Sequence, residues 1–489
     1  MRQALLSFAL FSGLMALAAG CGLKGTLKPD LPPETTLFVT GPVDTVNHIV
    51  RLHWFGTDVD GEVVGYELRF MNPAAPAETA WVFTDRTDST FTIFAPSGYT
   101  RPTFEVRAID NKGQRDPAPA SNDFQFSNQA PVVRITAGPA VNDTTFASVT
   151  ITWSAGDPDG DVSRLRFLVW LDGNQANPVM TTARTFTVPT ASFEVSGAIA
   201  TGRRKLFVRA IDDGGRAGEA DSSSWVVRRA VTGSIAKLLI IDDVPTTNVS
   251  NVRFDTMFAN SPARAGVASD EFTVLRLQST QPFRSAADVE QTFKLFQAVI
   301  WYRSNETTFP LVLRDYQAGI EAYVNAGGRF YAEGLYLTEG VNASGAFTSD
   351  FVNRVLDCNG QIAAWVSTTS FVDSSNGFGN INNSRFRSTT LQDSTRQQTL
   401  AQRVGEAGGM RAFKIRAHSQ ALLWALPNQL SPANADSQVV AVSTLRPGGG
   451  RIIVNTAPFS TGIGSGNTGS RVIPKIIQLL LSGSLRPQF

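Results

Sequence analysis

The sequence predicts a multidomain chain: two all-β sandwiches followed by an α/β domain with a mostly parallel sheet. Three observations predict it. Residues 50–61 (VRLHWFGTDVDG) realign with residues 149–160 (VTITWSAGDPDG), so that Trp54 and Trp153 stand 99 positions apart. Downstream, residues 106–110 and 208–212 both read VRAID, an offset of 102. A period near one hundred is that of a whole sandwich domain and exceeds the short repeats of solenoids. After Gly233 the pattern changes to apolar runs separated by amphipathic stretches, the signature of strands alternating with helices. A length of 489 residues fits about three domains.

The chain opens on Met1-Arg2-Gln3, then an apolar run over 4–16 that is too short to span a bilayer as a stable helix. Leu17-Ala18-Ala19-Gly20-Cys21 follows, small residues directly before a cysteine. This segment resembles the lipobox of bacterial lipoproteins, which implies cleavage after residue 20, lipidation of Cys21 and a membrane attachment through that lipid. Gly22, rather than Asp, at the second mature position implies the outer membrane if the cell is Gram-negative. Residues 21–36, with three prolines and few apolar groups, read as a tether.

The sandwiches are placed at 37–128 and 129–230. In VRLHW and VTITW the residues Leu52/Trp54 and Ile151/Trp153 alternate toward one side, as half-buried strands require. Asp-x-Asp-Gly then turns the chain. The set W…DxDG…VRAxD resembles fibronectin type III and related Ig-like modules of bacterial surface proteins. Asp58 and Asp60 in one copy, and Asp157, Asp159 and Asp161 in the other, invite a calcium reading. However, an EF-hand loop needs Gly at its sixth position and a bidentate Glu at its twelfth. Here Gly is fourth and the twelfth positions are Arg69 and Leu168, so a turn with side-chain-to-backbone bonds is the favoured reading.

The α/β domain is placed at 235–489. Residues 237–243 (KLLIIDD) form an apolar run ending in acids, as in a strand buried on both faces. Strands follow at 272–277, 297–302, 329–332, 438–442 and 451–455, with helices at 286–296, 313–326 and 472–481. The passage QAVIWY…LRDYQAGIEAYVNAGG…RFYAEG resembles the class I glutamine-amidotransferase-like fold, in which this strand ends in a nucleophile elbow. The resemblance implies a Gly-x-Cys-x-Gly elbow and a late His in an active member. Here the elbow reads Ala332-Glu333-Gly334-Leu335-Tyr336, and residues 455–459 hold no His. Cys358 follows a helical stretch and is expected at that helix's end, as an unreactive thiol.

Ligands of open α/β sheets bind at the carboxyl edge, which makes Asp242, Asp243, Arg303 and Glu333 the candidate binding residues. Residues 359–400, rich in Asn, Ser, Thr and Gln with Phe371, Phe378 and Phe386 interspersed, read as an insertion over that edge. Gly462-x-Gly464-x-Gly466 lacks the Lys and Ser/Thr of a P-loop and reads as a loop. Lys+Arg 43 against Asp+Glu 42 gives a net charge of +1, and with no basic run this excludes a phosphate-neutralising nucleic-acid binder. Two cysteines and three histidines without CxxC or HExxH leave no common zinc motif. The expectation is a non-catalytic cell-envelope lipoprotein presenting a domain that binds a protein or glycan partner, with no cofactor other than calcium. The alternative is an envelope hydrolase or transferase working at the acidic sheet edge.

Overall fold

The structure, a computed structural model, describes residues 29–39, 49–75, 79–244, 251–277, 283–303, 312–334, 337–338, 347–362, 370–373, 386–387, 412–426, 439–456 and 468–482. Cys21 and the glycines 462, 464 and 466 lie outside the described residues, as does Phe378. The chain forms two compact units. The first comprises Met1–Val132, Ala155–Arg166 and Arg209–Glu219, and the second Val133–Ser154, Phe167–Val208 and Ala220–Phe489.

In the first unit, strands Glu34–Val39, Ile49–Thr57 and Asp88–Thr92 form one sheet. Val82–Thr84, Val63–Met71, Thr103–Asp110 and Ala120–Asp123 form the other, in that order. The first strand begins at Glu34, within the stretch read as a tether. Thr103–Asp110 alternates half-buried and buried residues, so Phe104, Val106 and Ala108 join Leu52 and Trp54 in the core between the sheets. The loops contributed by residues 155–166 and 209–219 pack on this sandwich. The Gly214 carbonyl accepts from Ala95 N at 2.7 Å, and Asp159 Oδ2 from Gln129 N at 2.8 Å.

In the second sandwich, most of which lies in the second unit, Val132–Ala137, Val149–Gly156 and Thr185–Val188 form a sheet. Thr144–Thr145, Asp221–Val227, Gly202–Ile211, Arg166–Leu171 and Val179–Thr181 form its companion. The repeat seen in the sequence recurs in the hydrogen bonds. Trp54 N donates to Thr87 O at 2.8 Å and Trp153 N to Arg184 O at 2.9 Å, while Asp110 N bonds Gln114 O and Asp212 N bonds Arg216 O.

The α/β domain of the second unit runs β1 (Leu238–Asp243), α1 (Asn251–Arg264), β2 (Phe272–Arg276), α2 (Ala286–Phe293), β3 (Ala298–Arg303), α3 (Val312–Asn325) and β4 (Arg329–Glu333). It continues with α4 (Ser349–Arg354), β5 (Cys358–Ile362), β6 (Ser370–Asp373), β7 (Phe386–Arg387), β8 (Ala412–Ile415), β9 (Ser419–Leu426), β10 (Val439–Leu445), β11 (Arg451–Asn455) and α5 (Thr468–Ser482). The sheet order is β2-β1-β3-β4-β11-β10-β9-β6-β7, with β5 paired to β8. The first five strands are parallel, and from β10 onward the pairs are antiparallel. The parallel expectation therefore covers the half of the sheet that carries the candidate site, and β10 runs against it rather than closing a βαβ unit. Two short strands, β6 and β7, and most of β5 lie in the stretch read as an insertion.

Both faces of the parallel strands are buried, which is why β1 and β3 read as unbroken apolar runs. Leu239, Ile241, Val299, Trp301 and Phe330 face α2 and α3. Leu238, Ile240, Ile300, Tyr302 and Tyr331 face α1 and α5. Ser285 caps α2 by accepting from Asp288 N at 3.0 Å. Residues flanking that helix fasten the second sandwich to the domain. Thr150 Oγ1 lies 2.6 Å from Ser285 Oγ, Arg284 pairs with Asp143 at 3.3 Å, and Phe146 meets Phe296 edge-on.

Candidate functional site

The parallel strands end in polar residues at matched register: Asp243 opposite Arg303, and Tyr302 opposite Glu333, itself opposite Asn455. Successive residues of a strand point to opposite faces. The edge therefore splits into two groups rather than one pocket.

On the α2–α3 face, Arg303 Nε stands 3.1 Å from Asp243 Oδ2, which also accepts from Trp301 Nε1 at 3.1 Å. All three are buried. Burial pushes the Asp243 carboxyl up, and the Arg303 charge and the Trp301 hydrogen bond pull it back. This is a bonded ion pair inside the fold.

On the α1–α5 face, Glu333 is fully buried, and its Oε2 accepts from Tyr331 Oη at 2.6 Å. Asn455 Nδ2 in turn donates to Tyr331 Oη at 3.3 Å. Burial, reinforced by the Glu333 charge, holds the Tyr331 phenol well above its ordinary range. Asp242 accepts from Val244 N and lies 3.6 Å from Arg276 Nε. Sequence reasoning missed Tyr331, Trp301 and Asn455. Trp301 and Tyr331 each sit two residues before a candidate, the spacing that puts strand neighbours on one face.

β4 ends at Glu333, and Gly334 follows it. Gly334 has φ +155°, and a Cβ there would stand 2.9 Å from Arg303 Cβ, so only glycine fits the turn. Cys358 opens β5 rather than ending a helix, because α4 stops at Arg354 and the chain turns through Asp357 at φ +48°. Its Sγ donates to Leu356 O at 3.3 Å, and burial, with the Asp357 charge adding, pushes the thiol up to about 12. The mostly exposed His418 sets Nδ1 3.2 Å from Asp357 Oδ2.

Among the described residues no three His, Cys, Asp or Glu side chains meet as a metal-ligand group. Asp242, Asp243 and Glu333 thus form no such group. Asp157 Oδ1 accepts from Asp159 N at 3.4 Å, and Asp161 caps a 3₁₀ turn by accepting from Ser163 N at 2.8 Å. Two cavities lie elsewhere. One of about 520 Å³ opens at the amino end of β4 beside Lys294, Gln297, Tyr323 and Arg329, and one of about 370 Å³ in the second sandwich beside Trp170, Asn174 and Glu194. No helix among the described residues is long and apolar enough to cross a membrane.

No protein-family model matches the chain, and no curated protein does. Solved structures do resemble it. The fibronectin(III)-like modules of Clostridium thermocellum CbhA are 20% identical and cover 40% of this chain and 95% of theirs, at TM-score 0.19. A two-domain fibronectin type III segment of chicken tenascin is 13% identical, covering 39% of this chain and 97% of its own, at 0.18. The PKD1 domain of Vibrio anguillarum Epp is 14% identical, covering 20% and 96%, at 0.15.

Proposed function

We propose that this chain is a non-catalytic lipoprotein of the cell envelope, anchored through Cys21, in the outer membrane if the cell is Gram-negative. Two sandwiches of the fibronectin type III kind serve as spacers. They carry a degenerate amidotransferase-like α/β domain that binds a protein or glycan partner. The observation that supports the non-catalytic reading is the turn after β4, where an acyl-transfer enzyme needs a nucleophile. Glu333 fills that place, fully buried and hydrogen-bonded to Tyr331, and Gly334 follows it. A nucleophile must reach the substrate and carry an adjacent base. The only described thiol, Cys358, is buried and held protonated at neutral pH by its raised pKa.

The anchor is tested by labelling cells with a radioactive fatty acid and separating membranes. The wild-type chain takes up label and sediments with membranes, whereas Cys21→Ser is unlabelled and soluble, since a diacyl anchor is the attachment this reading invokes. A Cys21→Ser chain that remains membrane-bound in high salt overturns the lipoprotein reading.

A further inference from the structure

Both repeats end one edge of their sandwich in the same acidic niche. In the first, Asp110 closes strand Thr103–Asp110 and is 1% exposed. Its Oδ1 accepts from Lys112 N and Gln114 N at 2.9 and 2.7 Å, while its Oδ2, shut off from water, has no donor. Asp58 repeats the arrangement. Its Oδ1 accepts from Asp60 N at 3.1 Å, and its enclosed Oδ2 has no donor. A Cβ on Gly61 would stand 2.3 Å from Asp58 Oδ2 and 3.1 Å from Asn111 Oδ1, so both oxygens close in on this glycine and leave no room for a side chain. A buried carboxylate oxygen without a donor is strongly unfavourable unless a cation neutralises it. Lys112 lies close enough to feel Asp60 and Asp110, but its ammonium is hydrogen-bonded to Asp30.

The second repeat carries the same parts. Asp212 Oδ1 accepts from Arg216 N at 2.7 Å, the match of Asp110 and Gln114. Asp157 Oδ2 is enclosed without a donor, and a Cβ on Gly160 would stand 2.3 Å from it. Asp213 replaces Asn111 and Gly214 replaces Lys112, and Asp213 Oδ2 accepts from Arg164 Nη1 at 3.2 Å. Burial first, then the charges of Asp212 and Asp159, push the Asp157 carboxyl up to about 6.

We propose that each niche, Asp58 with Asp110 and Asn111 in the first repeat and Asp157 with Asp212 in the second, binds one calcium ion. The donors are all oxygen, which favours a hard cation over zinc or copper. Calcium takes irregular shells of six to eight oxygens completed by water and carbonyls, so the side chains need not converge as tightly as a tetrahedral zinc set must. This inference is independent of the reading of the α/β domain.

Isothermal titration of the chelator-stripped full chain with calcium chloride tests it. The expected result is two ions per chain, with dissociation constants on the order of 10⁻⁴ to 10⁻³ M, the range of extracellular modules. Asp58→Asn and Asp157→Asn should each remove one ion. Both leave the strand-end bonds of Asp110 and Asp212 in place, and an unchanged melting temperature in chelator verifies the fold. No calcium uptake overturns the proposal, as does uptake that both variants leave at two. Stabilisation by calcium that potassium chloride reproduces at equal ionic strength also overturns it, because that is screening.

Discussion

Asp243 and Glu333 each end a parallel strand of the same sheet, and their carboxylates stand on opposite faces of it. Asp243 lies opposite Arg303 and bonds it, whereas Glu333 lies opposite Tyr302, the residue before Arg303 on β3. Two acids that look convergent along the chain are separated by the pleat. Each is already bonded to a protein partner, Arg303 for one and Tyr331 for the other.

The Asp243–Arg303 pair gives the first prediction. Both side chains are under a tenth exposed. Truncating either to Ala strands a buried charge and should cost about 3–5 kcal/mol, while replacing both with apolar residues of similar size should cost far less. Denaturant unfolding of the two single variants and the double variant measures this. Additive losses would mean that the two groups do not interact.

The repeat gives the second. Trp54 is 0% exposed and Trp153 2%, and their backbone amides make matching bonds to Thr87 and Arg184. Trp54→Ala and Trp153→Ala should each cost about 3–5 kcal/mol in chemical unfolding. A midpoint unchanged in either variant would refute equivalent core positions.

Cys358 gives the third. With its pKa raised to about 12, the thiol is almost wholly protonated at pH 7, and the thiolate is the reactive form. Iodoacetamide should label the native chain slowly and the denatured chain quickly, and Cys358→Ala should keep any partner binding. Rapid labelling of native chain near neutral pH contradicts the assignment.

The sandwiches and the parallel strands were legible because both rest on local periodicity. VRLHW alternates with period two, and LLII is continuous because both of its faces are covered. The antiparallel half of the sheet was not legible, since nothing in a strand's own sequence states the direction of its neighbour. The candidate site was half legible. Ends of buried strands are polar, so Asp243, Arg303 and Glu333 stood out, but the face each takes depends on register, which pairing alone sets. Cys358 was misplaced by four residues of helix. The turn at Asp357 takes a positive φ that a non-glycine residue does not advertise. The niche completed by Asp110 and Asp212 escaped a reading centred on the DxDG loop, because those residues arrive from a strand some fifty positions later.

The central claim is that the sheet edge binds without catalysing, and a hydrolysis assay tests it most directly. Purified chain would be incubated with chromogenic ester, amide and glycoside substrates alongside Glu333→Ala, with folding of the variant verified by its melting temperature. Turnover at the level of the blank is expected for both proteins. Turnover by the wild-type chain that disappears in a folded Glu333→Ala variant would contradict it and establish an enzyme at this edge.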